Sequence, residues 1–326
     1  MTDPALLRRL VGATVHAPSV HNVQPARWRI EQDSVLLFED RSRRLRVGDP
    51  RGNDAAISLG ASAEAFILAA SADGRAVAVE RHDLPPPRDV LEPVARLRLS
   101  GKREPDPLAA FLSTRESWRG DFQPPTREDR SSVQRLAADD VTIIVDPSTL
   151  KRIGKQFDRA SYGYLRHRDY RAEFRGWMRL SRSHPRWSTD GLNAEAMSLS
   201  PVEAFAASQV LGWLFPILDR IGLAPALVSE GKKVAGAAGV LLFHRPVHED
   251  PFDSGRRFLR LWLEIEKIGM GAAVLAALAD NRSVAADLAS SHSFPKDYRL
   301  VSAFRVGRRV GKSYPRARMP VDDLLV

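Results

Sequence analysis

Three short stretches of this 326-residue chain carry side chains able to do chemistry at spacings that could bring them together. One reads Arg115-Glu-Ser117-Trp-Arg119. In an extended backbone alternate side chains share a side, so two guanidinium forks and a hydroxyl would converge on one point. Such forks hold an anion by bidentate, charge-assisted bonds that fix geometry as well as energy, which suits a small phosphate. Arg316-Ala-Arg318 repeats the spacing near the C-terminus and could close the same clamp from the other side. The third stretch, Ala17-Pro18-Ser19-Val-His-Asn22-Val-Gln24-Pro25, sets several polar residues between two prolines. Proline fixes φ and stiffens the turn; Ser19 can donate to a carbonyl, and Asn22 offers both a donor and an acceptor.

Each stretch also has a plainer explanation. In a chain with 49 Lys and Arg, a short arginine pattern also arises as solvated surface, and the same holds for the terminal pair. Ser19 and Asn22 are equally able to cap backbone groups in an ordinary helix-to-strand loop. His21 is the side chain best suited to move a proton near neutral pH, but it could simply face a neighbouring helix. His244 and His248 flank Pro246, which breaks the helical i, i+4 geometry of a metal pair, so no metal is expected.

Composition narrows the classes. The absence of cysteine excludes disulfides, thiolate nucleophiles, thiolate zinc sites and iron–sulfur clusters. At 44% apolar residues the chain can build a large core as one domain or two coupled ones. A net charge of +9 and a pI near 10.1 raise nucleic acid as a partner, but the arginines are interspersed with carboxylates, aromatic content is 7% and no nucleic-acid-binding motif is visible. No nucleic-acid partner is expected. Met1 to Val15 reads as an amphipathic helix, not a signal peptide, and Ala204 to Leu218 is too short to span a bilayer and reads as a buried helix. These readings lead to a soluble, cytoplasmic protein with no membrane contact.

The positioning elements follow from periodicity. Trp28 to Ile30 and Val35 to Phe38 alternate as a strand pair, a broad apolar helix runs from an Asp54 N-cap to Asp73-Gly74, and Ala76 to Val79 and Val94 to Leu99 are strands. Ser100 to Pro105 is the best boundary, giving halves 1–104 and 105–326. The second half has a short helix at Asp106 to Thr114, a strand at Val141 to Val145 and a helix at Ser148 to Tyr164. A long apolar helix at Val202 to Ile221 precedes the strand Gly239 to Phe243, the helix Ser254 to Ile268 and the strand Leu300 to Val306. The aromatic and Arg-rich run around 164–190 reads as a covering loop. Each half has an Ala- and Leu-rich helix ending near glycine and followed by a strand, a faint sign of internal duplication.

Ala17 to Pro25 resembles the APSxxNxQPW signature of the FMN-dependent nitroreductase superfamily, and Arg115 to Arg119 resembles its RxSxR clamp. Asp190-Gly191-Leu192 and the Arg257 to Gly271 helix add a resemblance to its tandem-domain, Acg-like branch. The resemblance implies an α+β nitroreductase-like fold, internally duplicated into a pseudo-dimer with mixed or antiparallel sheets flanked by helices. In ordinary members of the family the clamp precedes the loop, and two interlocked subunits each contribute one of them to an FMN site at their interface. The inverted order here then implies that the N-terminal half kept the loop and the C-terminal half the clamp, giving one complete site per chain. By the same resemblance Arg115, Ser117, Arg119, Arg316 and Arg318 would hold the FMN phosphate, Pro18, Ser19 and Asn22 would line the ring, and Gln24 would also bind the cofactor. The implied activity is hydride transfer through flavin N5 from NAD(P)H to a small organic acceptor, with no side-chain acid or base required and a backbone amide within Ala276 to Ala279 at N5. A lidded flavin-sequestering protein without NAD(P)H turnover is the alternative, and the chain would be a monomer or a homodimer. Two departures from the family pattern stand out: Ala26 in place of the usual tryptophan after Gln-Pro, and no proline near Ala272 to Leu278.

Overall fold

The computed structural model describes residues 3–326, so Met1 and Thr2, the start of the expected N-terminal helix, lie outside the described residues. Helix α1 (Pro4–Ala13) begins where the Asp3 carboxylate accepts the Ala5 amide at 2.9 Å, with proline at its first position, and it buries Leu7, Leu10 and Val11. Strands β1 (Ala26–Ile30) and β2 (Ser34–Asp40) form the expected hairpin, with Trp28 opposite Leu37. Helix α2 (Asn53–Ala72), β3 (Arg75–Glu80) and β4 (Leu91–Lys102) complete an antiparallel sheet of order β1-β2-β4-β3.

The remainder opens with α3 (Arg127–Gln134), β5 (Val141–Ile144), α4 (Pro147–Arg166) and α5 (Arg168–Gly176). A short parallel pair, β6 (Met178–Arg179) and β7 (Leu192–Asn193), leads to four short helices, α6 (Pro201–Val210), α7 (Phe215–Arg220), α8 (Ala224–Leu227) and α9 (Gly231–Ala235). Then come β8 (Gly239–Pro246), α10 (Pro251–Lys267), β9 (Gly271–Val274), α11 (Ala276–Asp280), α12 (Arg282–Ser291), β10 (Tyr298–Gly307) and α13 (Val321–Leu324). Strands β5, β8, β10 and β9 make a second antiparallel sheet, in that order.

The two four-stranded sheets share one topology. In each, the order is first, second, fourth, third strand, and a long helix follows the second strand. Shared strand order is a stronger sign of duplication than the sequence offers, and it makes the chain an α+β pseudo-dimer with sheets flanked by helices. Helix α2 packs on the first sheet with one face and on α10 with the other, so nearly all of it is buried and its apolar residues show little helical period. By length and composition α2 could cross a membrane, but 78% of its apolar window is buried within the protein.

Two glycines set the closeness of α2 and α10. A Cβ on Gly60 would lie 1.8 Å from the Phe252 carbonyl oxygen, and one on Gly255 would lie 2.1 Å from that of Ile57. Each glycine faces the residue three positions before the other, the reciprocity of a two-fold interface.

The C-terminal arm ties the halves together. After β10 it passes Tyr314, Arg316 and Arg318, and α13 then docks on the first sheet, where Leu325 bridges to Trp28 and the Val326 amide donates to the Trp28 carbonyl at 2.9 Å. Trp28 is fully buried and stacks on Phe66 at 5.7 Å between ring centroids. Ala26, which stands in the family's tryptophan position, is buried in the same cluster. Trp28→Ala should therefore cost about 3–5 kcal/mol of stability, read as a lower midpoint in urea unfolding.

Three elements differ from expectation. The helix expected over Val202 to Ile221 is broken after Val210, with Gly212 in the turn and Pro216 opening α7, and its outer face is open: Val202, Phe205 and Trp213 are 78%, 68% and 68% exposed. The segment Ala204 to Leu218 is thus a surface layer and not a buried helix. Asp106 to Thr114 tightens to a 3₁₀ turn at Pro107–Phe111, and Gly52, at φ 74°, occupies the α2 cap, leaving Asp54 in the first turn.

Candidate functional site

The three motifs meet at one cavity of about 660 Å³ on the seam between the halves. Residues Arg115 to Arg119 run extended and are clipped to β9, the Trp118 amide donating to the Ala272 carbonyl at 2.8 Å. Arg115, Ser117 and Arg119 all line the cavity, whereas Trp118 turns away and donates from Nε1 to the Asp121 carbonyl at 2.8 Å. The C-terminal arm brings Arg316 and Arg318 to the same wall, and the loop from Pro18 to Asn22 faces them from the N-terminal half.

What distinguishes these arginines is the lack of a counter-charge. Among the described residues none of Arg115, Arg119, Arg316 and Arg318 forms an ion pair; they donate to backbone carbonyls or to Asn22. Arg115 is 2% exposed, gives Nη2 to the His16 carbonyl at 3.0 Å and lies over the Trp262 ring at 4.5 Å. Burial, then the charges of Arg318 and Arg316, pulls its guanidinium down to about 9. Burial, then Arg316, likewise lowers Arg318 to about 10, and its Nε is buried without a partner. His16 is lowered to about 4 by burial and then by Arg316, Arg318 and Arg115. Positive charge concentrated with no ion-pair partner among the described residues makes an anion site.

The loop is strained where it meets the cavity. His21, Asn22 and Gln24 have φ of 45°, 56° and 51°, conformations that cost non-glycine residues on the order of 1–3 kcal/mol each and persist where surroundings enforce them. The enforcement is visible. The Ser19 hydroxyl accepts the Gln24 amide at 2.9 Å; Asn22 Nδ2 donates to the Gly191 and Ala317 carbonyls at 3.0 Å each, and Asn22 Oδ1 accepts from Arg318 Nη1 at 2.8 Å. Asn22 thus braces Arg318 with an amide already engaged by protein. Gln24 departs from the expectation of a cofactor contact: it lies off the cavity, donating to the Thr189 carbonyl at 2.8 Å and accepting the Met319 amide at 3.0 Å. Its side chain is spent fastening the loop to the C-terminal arm. His21 lines the cavity and packs on Phe174 at 5.1 Å, and burial followed by Arg119 lowers it to about 4, so it is neutral at pH 7.

The cover is larger than the sequence indicated. Tyr164 and Leu165 of α4 and Tyr170 and Phe174 of α5 form one wall, and a second comes from residues between 191 and 233, including Met197, Val210 and Leu211. Asp190 fastens this cover to the first half. It is 1% exposed and binds Arg43 Nη2 at 2.5 Å, Arg179 Nη2 at 2.9 Å and Arg186 Nη1 at 3.4 Å. Removing one side of a buried pair strands the other charge at a cost of about 3–5 kcal/mol. Asp190→Ala should lower the melting temperature and speed amide exchange over 177–193 more than in β8.

Among the cavity's carboxyl residues, sequence reasoning gave no site role to Asp54 in α2 or to Asp280 at the end of α11. They lie far apart in the chain, and no local pattern connects them. Ala276 and Ala277, at the start of α11, also line the cavity.

No family model matches the chain. A Mycobacterium tuberculosis protein named "Putative NAD(P)H nitroreductase acg" is 37% identical over 91 residues, a match spanning 28% of this chain and 27% of the length of that relative. A second nitroreductase-named protein of the same organism is 34% identical over 87 residues, or 27% of this chain and 25% of its own length. Among solved structures, an FMN-bound nitroreductase from Bacteroides fragilis aligns at 9% identity over 66% of this chain and 95% of its own, with a TM-score of 0.37. A nitroreductase-named protein from Anabaena variabilis aligns at 11% identity over 85% of this chain and 69% of its own, with a TM-score of 0.38. Structural likenesses that loose carry no argument about function. Over the matched segment, which spans only about a quarter of the length of either relative, this chain is similar to the Acg-type proteins named as nitroreductases.

Proposed function

We propose that the chain binds FMN at this cavity and is an oxidoreductase of nitroreductase type, with NAD(P)H as hydride donor and a small organic molecule as acceptor. The observation that carries the reading is the set of four arginines on one cavity wall with no carboxylate partner. The remaining walls fit the rest of the cofactor: the volume lies within the roughly 300–1,000 Å³ of small-molecule sites, and Phe258, Trp262 and Val274 give it an apolar side.

In this reading Arg115, Ser117, Arg119, Arg316 and Arg318 hold the phosphate, and Pro18 and Ser19 line the ring. Asn22 and Gln24 position the loop and Arg318 rather than touching the ring. The amide of Ala276 or Ala277, both within the expected stretch and on the cavity, would be the backbone donor toward N5. Bound FMN would supply the two-electron chemistry. The protein supplies orientation, exclusion of water and a positive field that favours the anionic reduced state, so no side-chain acid or base is needed for the hydride itself. The division into halves at 104/105, one FMN per chain and a soluble cytoplasmic location belong to the same proposal.

The cover favours a second reading, flavin binding without NAD(P)H turnover, because helices α4, α5, α6, α8 and α9 all line the cavity. Anaerobic mixing of FMN-loaded protein with NADPH or NADH decides. Bleaching of the flavin absorbance is expected; an oxidised spectrum unchanged by either nucleotide but bleached by dithionite would favour the second reading.

A further inference from the structure

The layer formed by α6, α7 and α8 presents apolar side chains to solvent. Among the described residues, seven of the twelve large hydrophobic side chains that stand exposed fall between Val202 and Leu227. Only three of those 26 residues, Glu203, Asp219 and Arg220, are charged, against 27% of the whole chain. Scattered apolar residues are normal on a surface, but a run of this density marks a surface built to be covered. Helical spacing gathers it: Val202 and Phe205 are three apart in α6, and Ile217 and Ile221 four apart in α7 and its cap, while Ala204, Leu211, Phe215 and Ala224 are buried beneath. Trp213, in the turn between α6 and α7, gives its one polar atom, Nε1, to Gln209 Oε1 at 2.9 Å and leaves its ring in the open.

The charges around this face do not balance. Asp219 is paired with Arg166 and accepts from the Tyr162 hydroxyl, Glu230 is paired with Lys233, and Arg168 and Asp169 at the start of α5 offset each other in charge. Glu203 is held in the α6 cap, accepting the Ser200 amide at 2.8 Å. Three exposed cations have no carboxylate partner among the described residues: Arg220 in α7, Lys232 in α9, and Arg175, whose guanidinium lies beside Gly212 in the turn between α6 and α7. An apolar face carrying Trp and Phe, rimmed by Lys and Arg, is the pattern of a surface that rests in the headgroup layer of a membrane. A second copy of the chain fits it less well, because a two-fold contact sets the same rim against itself and brings these cations together with no added carboxylate.

We propose that the outer face of α6, α7 and α8 docks the protein on an anionic lipid surface, with Phe205, Trp213 and Ile217 entering the headgroup layer and Arg175, Arg220 and Lys232 meeting the anionic headgroups. The inference stands apart from the flavin reading. Leu227 is 55% exposed on this face and also lines the cavity, so docking sets the rim of the cavity against the lipid. Docking of this kind is peripheral and reversible. The chain stays soluble, but the expectation of no membrane contact gives way.

The test is co-sedimentation of the intact protein with vesicles of phosphatidylcholine alone and of phosphatidylcholine with an equal part of phosphatidylserine. Binding to the anionic vesicles is expected to be about tenfold or more tighter and to weaken as salt is added. Arg220→Gln/Lys232→Gln should lose about twentyfold on the anionic vesicles, each cation contributing about fivefold there. Phe205→Ser/Trp213→Ser should lose about tenfold or more. All four positions are exposed, so both variants should keep the melting temperature of the parent. No binding to either vesicle overturns the proposal. Binding that survives Phe205→Ser/Trp213→Ser would place the contact elsewhere on the basic surface and overturns it too. So does a parent that is dimeric in solution and turns monomeric in that variant, which gives the face to a second copy.

Discussion

Replacing Arg119 and Arg316 together by alanine is expected to weaken FMN binding about a hundredfold or more while leaving riboflavin, which lacks the phosphate, nearly unaffected. Each hydrogen bond to a charged group contributes roughly 1.5–3 kcal/mol, so losing two removes about 3–6 kcal/mol, or two to four decades of affinity. These two are chosen over Arg115 because they are less buried. Arg115, at 2% exposure and stacked on Trp262, also holds the fold, and its removal would mix binding with stability. Equal losses for FMN and riboflavin would show that the arginines act on something other than the phosphate.

A second large effect concerns the seam that creates the cavity. Gly60→Ala gains up to about 1 kcal/mol of helix propensity, but its methyl would sit 1.8 Å from a backbone oxygen of α10. Relief requires α2 and α10 to separate, opening the layer where Ala61 and Ala65 meet Leu259 and Leu263. Overpacking of this kind costs about 1–3 kcal/mol or more, and here no flexible side chain can yield, so the net loss should be about 2 kcal/mol. Gly163 in α4, with no atom within 4 Å of its would-be Cβ, is the control, and Gly163→Ala should stabilise. Urea unfolding of both variants reads the difference. A neutral Gly60→Ala would mean that the two halves pack more loosely than the geometry says.

Local pattern reached as far as local physics decides the outcome. The hairpin of β1 and β2, the buried strands β5, β8 and β10 and the long helices α2, α4 and α10 all follow from apolar periodicity and breakers. Strand β9 has no signature of its own: Gly271-Ala-Ala-Val274 is short, lacks alternation and becomes a strand by pairing with β10. The helix expected over Val202 to Ile221 failed for the opposite reason: apolar residues taken as core lie in a surface layer, interrupted at Gly212 and Pro216. At the site, spacing placed Arg115, Ser117 and Arg119 on one side, and the structure puts them on one cavity with Arg316 and Arg318. Spacing could not show that Gln24 would be used up by Thr189 and Met319, or Asn22 by Gly191, Ala317 and Arg318, because those partners arrive from distant segments. For the same reason no sequence pattern joins Asp54 to Asp280.

In the proposed reading loop and clamp come from opposite halves of a single chain, and a complete site then needs no second molecule. The direct measurement is the FMN content of the reconstituted protein, from flavin absorbance against protein concentration, together with its mass in solution. One FMN per chain, retained by the monomer, is the predicted result. A protein that takes up no FMN, or one that binds two per chain, would contradict the account.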